Sequence, residues 1–197
     1  MDSHATKVCK SANYHLRCIR KIRDYLPMEA CQILTHATVT SRLDFGNALL
    51  CGARDDIIKK LERVQRLAAR VVYKKYKNDH TSVTELMWGL HWLPIKARIQ
   101  YKIIILVFKA FHSGTPAYLA ALLKPKIQTR STRSSVRINL LQIPKLAPYT
   151  RSRYSNKAFA IAGPTMWNEI LDDELRSCTN IETFKIKLKT LLFQLHY

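Results

Sequence analysis

Apolar residues recur at steps of three and four through most of this chain. Val8, Ala12, Leu16, Ile19, Ile22 and Leu26 do so first, with the period of one α-helical face. This predicts a helix over 6–26, with Lys10, Arg17, Arg20 and Lys21 on its other face. Pro27 suits the first turn of a second helix over 28–42, because its missing N–H costs nothing there. A third helix over 55–74 presents Ile57, Leu61, Val64, Ala68, Val71 and Val72 as its apolar face, with Asp55 or Asp56 expected as the cap. Lys59, Arg63, Arg66, Arg70 and Lys74 fall within about 80° of one another opposite that face, in a stripe about 22 Å long.

The helical pattern continues. Ser82 to Glu85 has capping-box spacing for a short helix through Trp88, closed by Gly89. Pro94 opens a long helix to about 111 that is apolar nearly all round, the expected central core helix, with Gly114 placed to end it. Pro116 starts another short helix. Residues 124–157 change character: basic residues alternate with Ser and Thr, and 136–143 has room for a short β-hairpin strand, which Pro144 and Pro148 confine to an edge. Beyond it come the apolar run 158–162, Trp167 just past Pro164, and a second capping box from Thr179 to Glu182. That box opens a last helix with Phe184, Leu188, Leu191 and Leu192 inward. The expected class is therefore mostly α. It comprises a helical domain over 1–123, an extended basic connector over 124–157 and a C-terminal helical extension over 158–197.

Charge narrows the function. The 197 residues carry 33 Lys and Arg against 14 Asp and Glu, a net +19. Residues 1–85 hold a net +7, residues 86–168 a net +13 without one acid, and residues 169–197 a net −1. An acid-free stretch of 83 residues must stay solvated, borrow acids from elsewhere in the fold, or meet phosphates. Wholly apolar runs such as Ile103 to Phe108 are far too short to cross a membrane. Lys7 and Lys10 break up any signal-peptide core. Five dispersed cysteines with no C-x-x-C fit a reduced intracellular protein, nuclear or cytoplasmic, with idle thiols.

Catalytic patterns are missing. Asp55-Asp56 opens an amphipathic helix, whereas paired metal-binding aspartates of a polymerase sit on a turn between apolar strands. Capping is the expected role. There is no P-loop, G-x-S-x-G or H-E-x-x-H. His80, His91 and His112 are scattered and read as structural. Trp88, Trp92 and Trp167 read as core residues before base-stacking ones.

Several ordered strings carry a family likeness. Val8-Cys9-Lys10-Ser11-Ala12 and Tyr14-His15-Leu16-Arg17 come first, then Ser41-Arg42-Leu43-Asp44 with Asn47-Ala48-Leu49-Leu50. Leu61-Glu62-Arg63-Val64-Gln65 with Ala68-Ala69-Arg70, Leu90-His91-Trp92-Leu93-Pro94, Arg98-Ile99 and Lys102-Ile103 follow. Phe108-Lys109-Ala110, Ala158-Phe159, Trp167-Asn168, and Phe184-Lys185 with Leu188-Lys189-Thr190 complete the set. Together they resemble the C-terminal, post-palm part of a jockey-like, LINE-type non-LTR retrotransposon reverse transcriptase. Phe45-Gly46 stands where Tyr-Cys is usual, and Glu169-Ile170-Leu171 where a short Leu-Pro turn is usual.

The resemblance implies thumb-like helices plus a C-terminal extension, and a Met1 that is internal to a longer frame. It implies no palm, so no catalysis by this chain alone and no cofactor, Mg²⁺ belonging to the parent polymerase. RNA or DNA is the expected partner, with a reverse-transcriptase palm domain as another. The residues expected on phosphates are Lys10, Arg17, Arg20, Lys21, Lys59, Arg63, Arg66, Arg70, Lys74, Arg130, Arg133, Arg137, Arg151 and Arg153. A helical protein-interaction module, or a relic without function, is the alternative.

Overall fold

The computed structural model describes residues 2–75, 79–126, 138–145 and 157–197. It is mostly helical, as the apolar periodicity predicts, and forms two compact units: residues 1–98 with 195–197, and residues 99–194.

In the first unit, α1 (Asp2–Ile22) buries Ala5, Ala12, Leu16 and Ile19. It gives way to a 3₁₀ turn over Arg23–Tyr25, so the regular helix ends earlier than the apolar spacing predicts. Pro27 lies in extended backbone just ahead of α2 (Met28–Thr35). The helix expected over 28–42 is broken into α2, a π-helical turn over His36–Thr40, and α3 (Ser41–Asp44). Hydroxyls compete with the backbone there: Thr38 Oγ1 donates to the Leu34 carbonyl at 2.7 Å, and Ser41 Oγ to that of Ala37. The widened turn leaves both Val39 and Thr40 buried.

The next helix, α4 (Asp55–Val72), buries Ile57, Leu61, Val64, Ala68 and Val72, most of the predicted apolar face, and Gln65 besides. The Gln65 amide is half satisfied: its Nε2 donates to the Leu93 carbonyl at 2.8 Å, while its buried Oε1 has no hydrogen-bond partner among the described residues. Arg54 occupies the cap position without a side-chain cap bond, which corrects the expectation for the aspartates. Asp56 pairs with Arg54 at 3.0 Å, and Asp55 lies in the first turn, where the helix dipole favours it. Ser82 likewise makes no cap bond to α5 (Val83–Gly89).

α1 and α4 lie side by side in the same direction. Asp2 pairs with Lys60 at 2.7 Å at one end. At the other, buried Arg23 donates from Nε to the Val71 carbonyl at 2.9 Å and from Nη2 to that of Val72 at 2.6 Å. Both carbonyls lie in the last turn of α4, where the α-helical ladder runs out of donors; that of Val71 also accepts from Lys74 N at 3.2 Å.

The long predicted core helix is α6 (Ile95–Ser113), ended by Gly114 at φ +64°. Within the second unit it packs Phe108 against Phe184 of α10 (Ile181–His196), ring centroids 4.2 Å apart. Trp167 of α8 (Phe159–Ile170) stands 5.9 Å from Phe184 and is fully buried. Each such side chain contributes about 1.5–3 kcal/mol by burial. The short helix after Pro116 is α7 (Ala117–Ala120).

Pro164 lies inside α8. Pro164 and the neighbouring Gly163 are both buried, so packing outweighs the lost N–H. A further turn, α9 (Asp173–Arg176), is capped by the Asp172 carboxylate, which accepts from Leu175 N. Asn180, not Thr179, caps α10: its Oδ1 accepts from the N–H groups of Glu182 at 2.8 Å and Thr183 at 3.2 Å.

The expected hairpin is reduced, among the described residues, to one antiparallel bridge between Pro125 and Leu141. Trp167 Nε1 donates to the Asn139 carbonyl at 2.9 Å, and Asn168 exchanges two bonds with the Leu141 backbone. Buried Arg176 adds a 3.1 Å bond to the Ile138 carbonyl. Three side chains from α8 and α9 thus hold this extended segment.

Candidate nucleic-acid interface

The parallel packing of α1 and α4 creates a cationic concavity. Asn13, Leu16, Arg17 and Arg20 fall at i, i+3, i+4 and i+7 on α1, and so share one strip. Leu67, Arg70, Val71 and Lys74 repeat that spacing, running from α4 into the residues just past its end. The two strips line adjoining cavities of about 260 and 320 Å³ that share Arg20, Leu67 and Val71. Leu67, half exposed, and Val71 form an apolar floor, with arginines on both sides.

The predicted cations therefore divide. Arg17, Arg20, Arg70 and Lys74 come together at this groove. Lys10, Lys21, Lys59, Arg63 and Arg66 are exposed on the same helices but do not line it. The single stripe from Lys59 to Lys74 is thus split between groove and open surface as well as by helix end, since α4 stops at Val72 and Lys74 adopts φ +54°. Arg130, Arg133, Arg137, Arg151 and Arg153 lie outside the described residues.

Neighbouring acids neutralise part of this surface. Glu62 pairs with Arg66 at 3.5 Å, as its four-residue spacing allows. Lys74 meets Asp24 at 3.3 Å and Lys75 meets Asp79 at 2.8 Å. Hydrogen bonds from Lys75 and Thr81 hold the Asp79 carboxyl well below the usual carboxylate range. The bond from Lys60 lowers Asp2 in the same way. Lys10, Arg17, Lys21, Lys59 and Arg63 have no carboxylate within ion-pair distance among the described residues. No carboxylate lines either cavity.

Arg98 of the acid-free segment pairs with Asp44. Lys96, Lys102 and Lys109 on α6 and Lys124, Lys126 and Lys145 around the bridge are exposed, and Lys157 is half-buried.

Two features of the groove escape the sequence reading. Leu67 belongs to neither the apolar face nor the basic stripe predicted for its helix, although a leucine beside Arg66 on a polar face is itself a signal. Arg23 follows the apolar strip of α1, and its role in closing α4 depends on a contact 48 residues away.

The tryptophans also divide. Trp92 and Trp167 are core residues, while Trp88 is 56% exposed and 6.4 Å from the His91 ring. His112 lies against Phe108, Phe111 and Trp167, and burial lowers its pKa. No cluster of metal-ligating side chains occurs among the described residues, and none of their helices is long and apolar enough to cross a membrane.

No family model, no curated protein and no solved structure matches the chain.

Proposed function

We propose that this chain binds RNA or DNA through backbone phosphates, as a non-catalytic C-terminal piece of a retrotransposon reverse transcriptase. One observation carries the reading: Arg17 and Arg20 on α1 and Arg70 and Lys74 at the end of α4, from separate strings of the sequence, line one groove. Exposed Lys10, Lys21, Lys59 and Arg63 extend the basic surface on the same two helices. In that reading a palm domain is a second partner, Mg²⁺ acts only in the parent polymerase, and the chain alone extends no primer.

A salt titration of the purified chain with labelled oligonucleotides tests it. Contact with about six phosphates makes affinity fall about a thousandfold between 50 and 200 mM salt. Absent or salt-independent binding removes the reading. Primer extension by the isolated chain with Mg²⁺ would overturn the non-catalytic part.

A helical interaction module is the second reading. It is favoured by Phe45 and Leu49, each 75% exposed in the first unit, a cost that a partner would relieve. Self-association without oligonucleotide affinity would select it.

A further inference from the structure

We infer that the α1/α4 groove takes unpaired nucleotides in preference to duplex. This inference rests on the nucleic-acid reading and names the form of ligand that the groove selects. A phosphodiester backbone needs cations but gains nothing from an apolar floor. Here Leu67 is half exposed between arginines, with Val71 one turn on along the same strip. The complementary ligand has an anionic strand and an apolar planar face close together. An unstacked nucleotide has both, whereas a duplex hides its base faces in its own stack. Guanidinium groups stand on both sides, from Arg17, Arg20 and Arg70, the last also donating to the Asp79 carbonyl at 3.4 Å, and a guanidinium plane suits both a base face and a phosphate. The groove's cavities, about 260 and 320 Å³, are of the scale of small-molecule sites rather than of a channel that encloses a double helix.

The test is anisotropy of the full chain with three labelled ligands: a short single strand, the same sequence as a blunt duplex, and an abasic strand of equal length. The single strand should bind at least about fivefold tighter than the abasic strand, the low end of what one accommodated base contributes. It should also bind tighter than the duplex. Leu67→Ser, at a half-exposed position, should remove most of the advantage over the abasic strand. Equal binding of normal and abasic strands, or a duplex preference, overturns the inference and leaves phosphate binding standing. Salt-dependent affinity for none of the three overturns both. An unaltered advantage in a folded Leu67→Ser chain, its helicity checked by circular dichroism, places the base elsewhere and overturns it as well.

Discussion

Arg98 holds Asp44 with a two-pronged ion pair that joins the start of α6 to the end of α3. Its Nε donates to Asp44 Oδ1 at 2.8 Å and its Nη2 to Oδ2, while Asn47 Nδ2 adds a third donor to Oδ1 at 3.1 Å. Both side chains are largely shielded, 16% and 20% exposed, so screening by water is limited. Arg98→Met should destabilise the chain by about 2 kcal/mol, because it leaves a shielded carboxylate short of donors. A urea-denaturation cycle with Asp44→Asn should show coupling of about 1–2 kcal/mol between the two positions. Additive effects in that cycle would mean the pair is merely a contact.

Arg23 is a buried cation whose hydrogen-bond partners are all carbonyls. Besides the Val71 and Val72 carbonyls it bonds that of Leu26 at 2.6 Å, so one planar fork closes α4 and the turn after α1 together. A lysine cannot reproduce that fork. Arg23→Lys should therefore lower stability about as much as Arg23→Met, each by about 2–3 kcal/mol. Amide exchange in the last turn of α4 should speed up in both. Full rescue by lysine would show that charge alone is needed.

The long amphipathic elements were legible because one local period decides them. Residues 55–72 bury most of what their spacing predicts, and Gly114 ends α6 where a left-handed residue is needed. What sequence could not supply were choices made by distant partners. Asn180 takes the cap of α10 although Thr179 to Glu182 has the better-known spacing, and Pro164 stays helical because its neighbourhood is packed. At the candidate site, four of the predicted cations share a groove. The angular reading placed Lys59 and Arg63 with Arg70, but only proximity to α1 distinguishes them.

Stability should depend on pH through His112. Burial against Phe108, whose ring lies 4.4 Å away, lowers its folded pKa below the ordinary imidazole value of 6.5. The unfolded chain then binds the proton more readily, so stability is intact above 6.5 and falls as pH drops from there through the lowered value. His196 acts with the same sign, through burial and the nearby Lys96. The urea midpoint should drop between about pH 7.5 and pH 5.5, and His112→Gln should flatten part of that slope. An unchanged slope in the variant would assign the dependence to other groups.

Gly163 should resist the substitution that ordinarily strengthens a helix. In α8, Gly→Ala would by propensity alone add about 1 kcal/mol of stability. A Cβ at this position, however, would come within 2.9 Å of Val107 Cγ2 and 3.5 Å of Phe159 Cε2. Val107 is fully buried and branched at its β-carbon, so it has little freedom to withdraw. Gly163→Ala should therefore lower stability by about 1–3 kcal/mol, the range of overpacking. Val107→Ala alone should also destabilise, by opening a space. The double variant should be more stable than the sum of the two changes predicts, because the new methyl fills that space. Thermal melts of the three variants decide it: a stabilised Gly163→Ala would show that α8 shifts away from α6 at little cost.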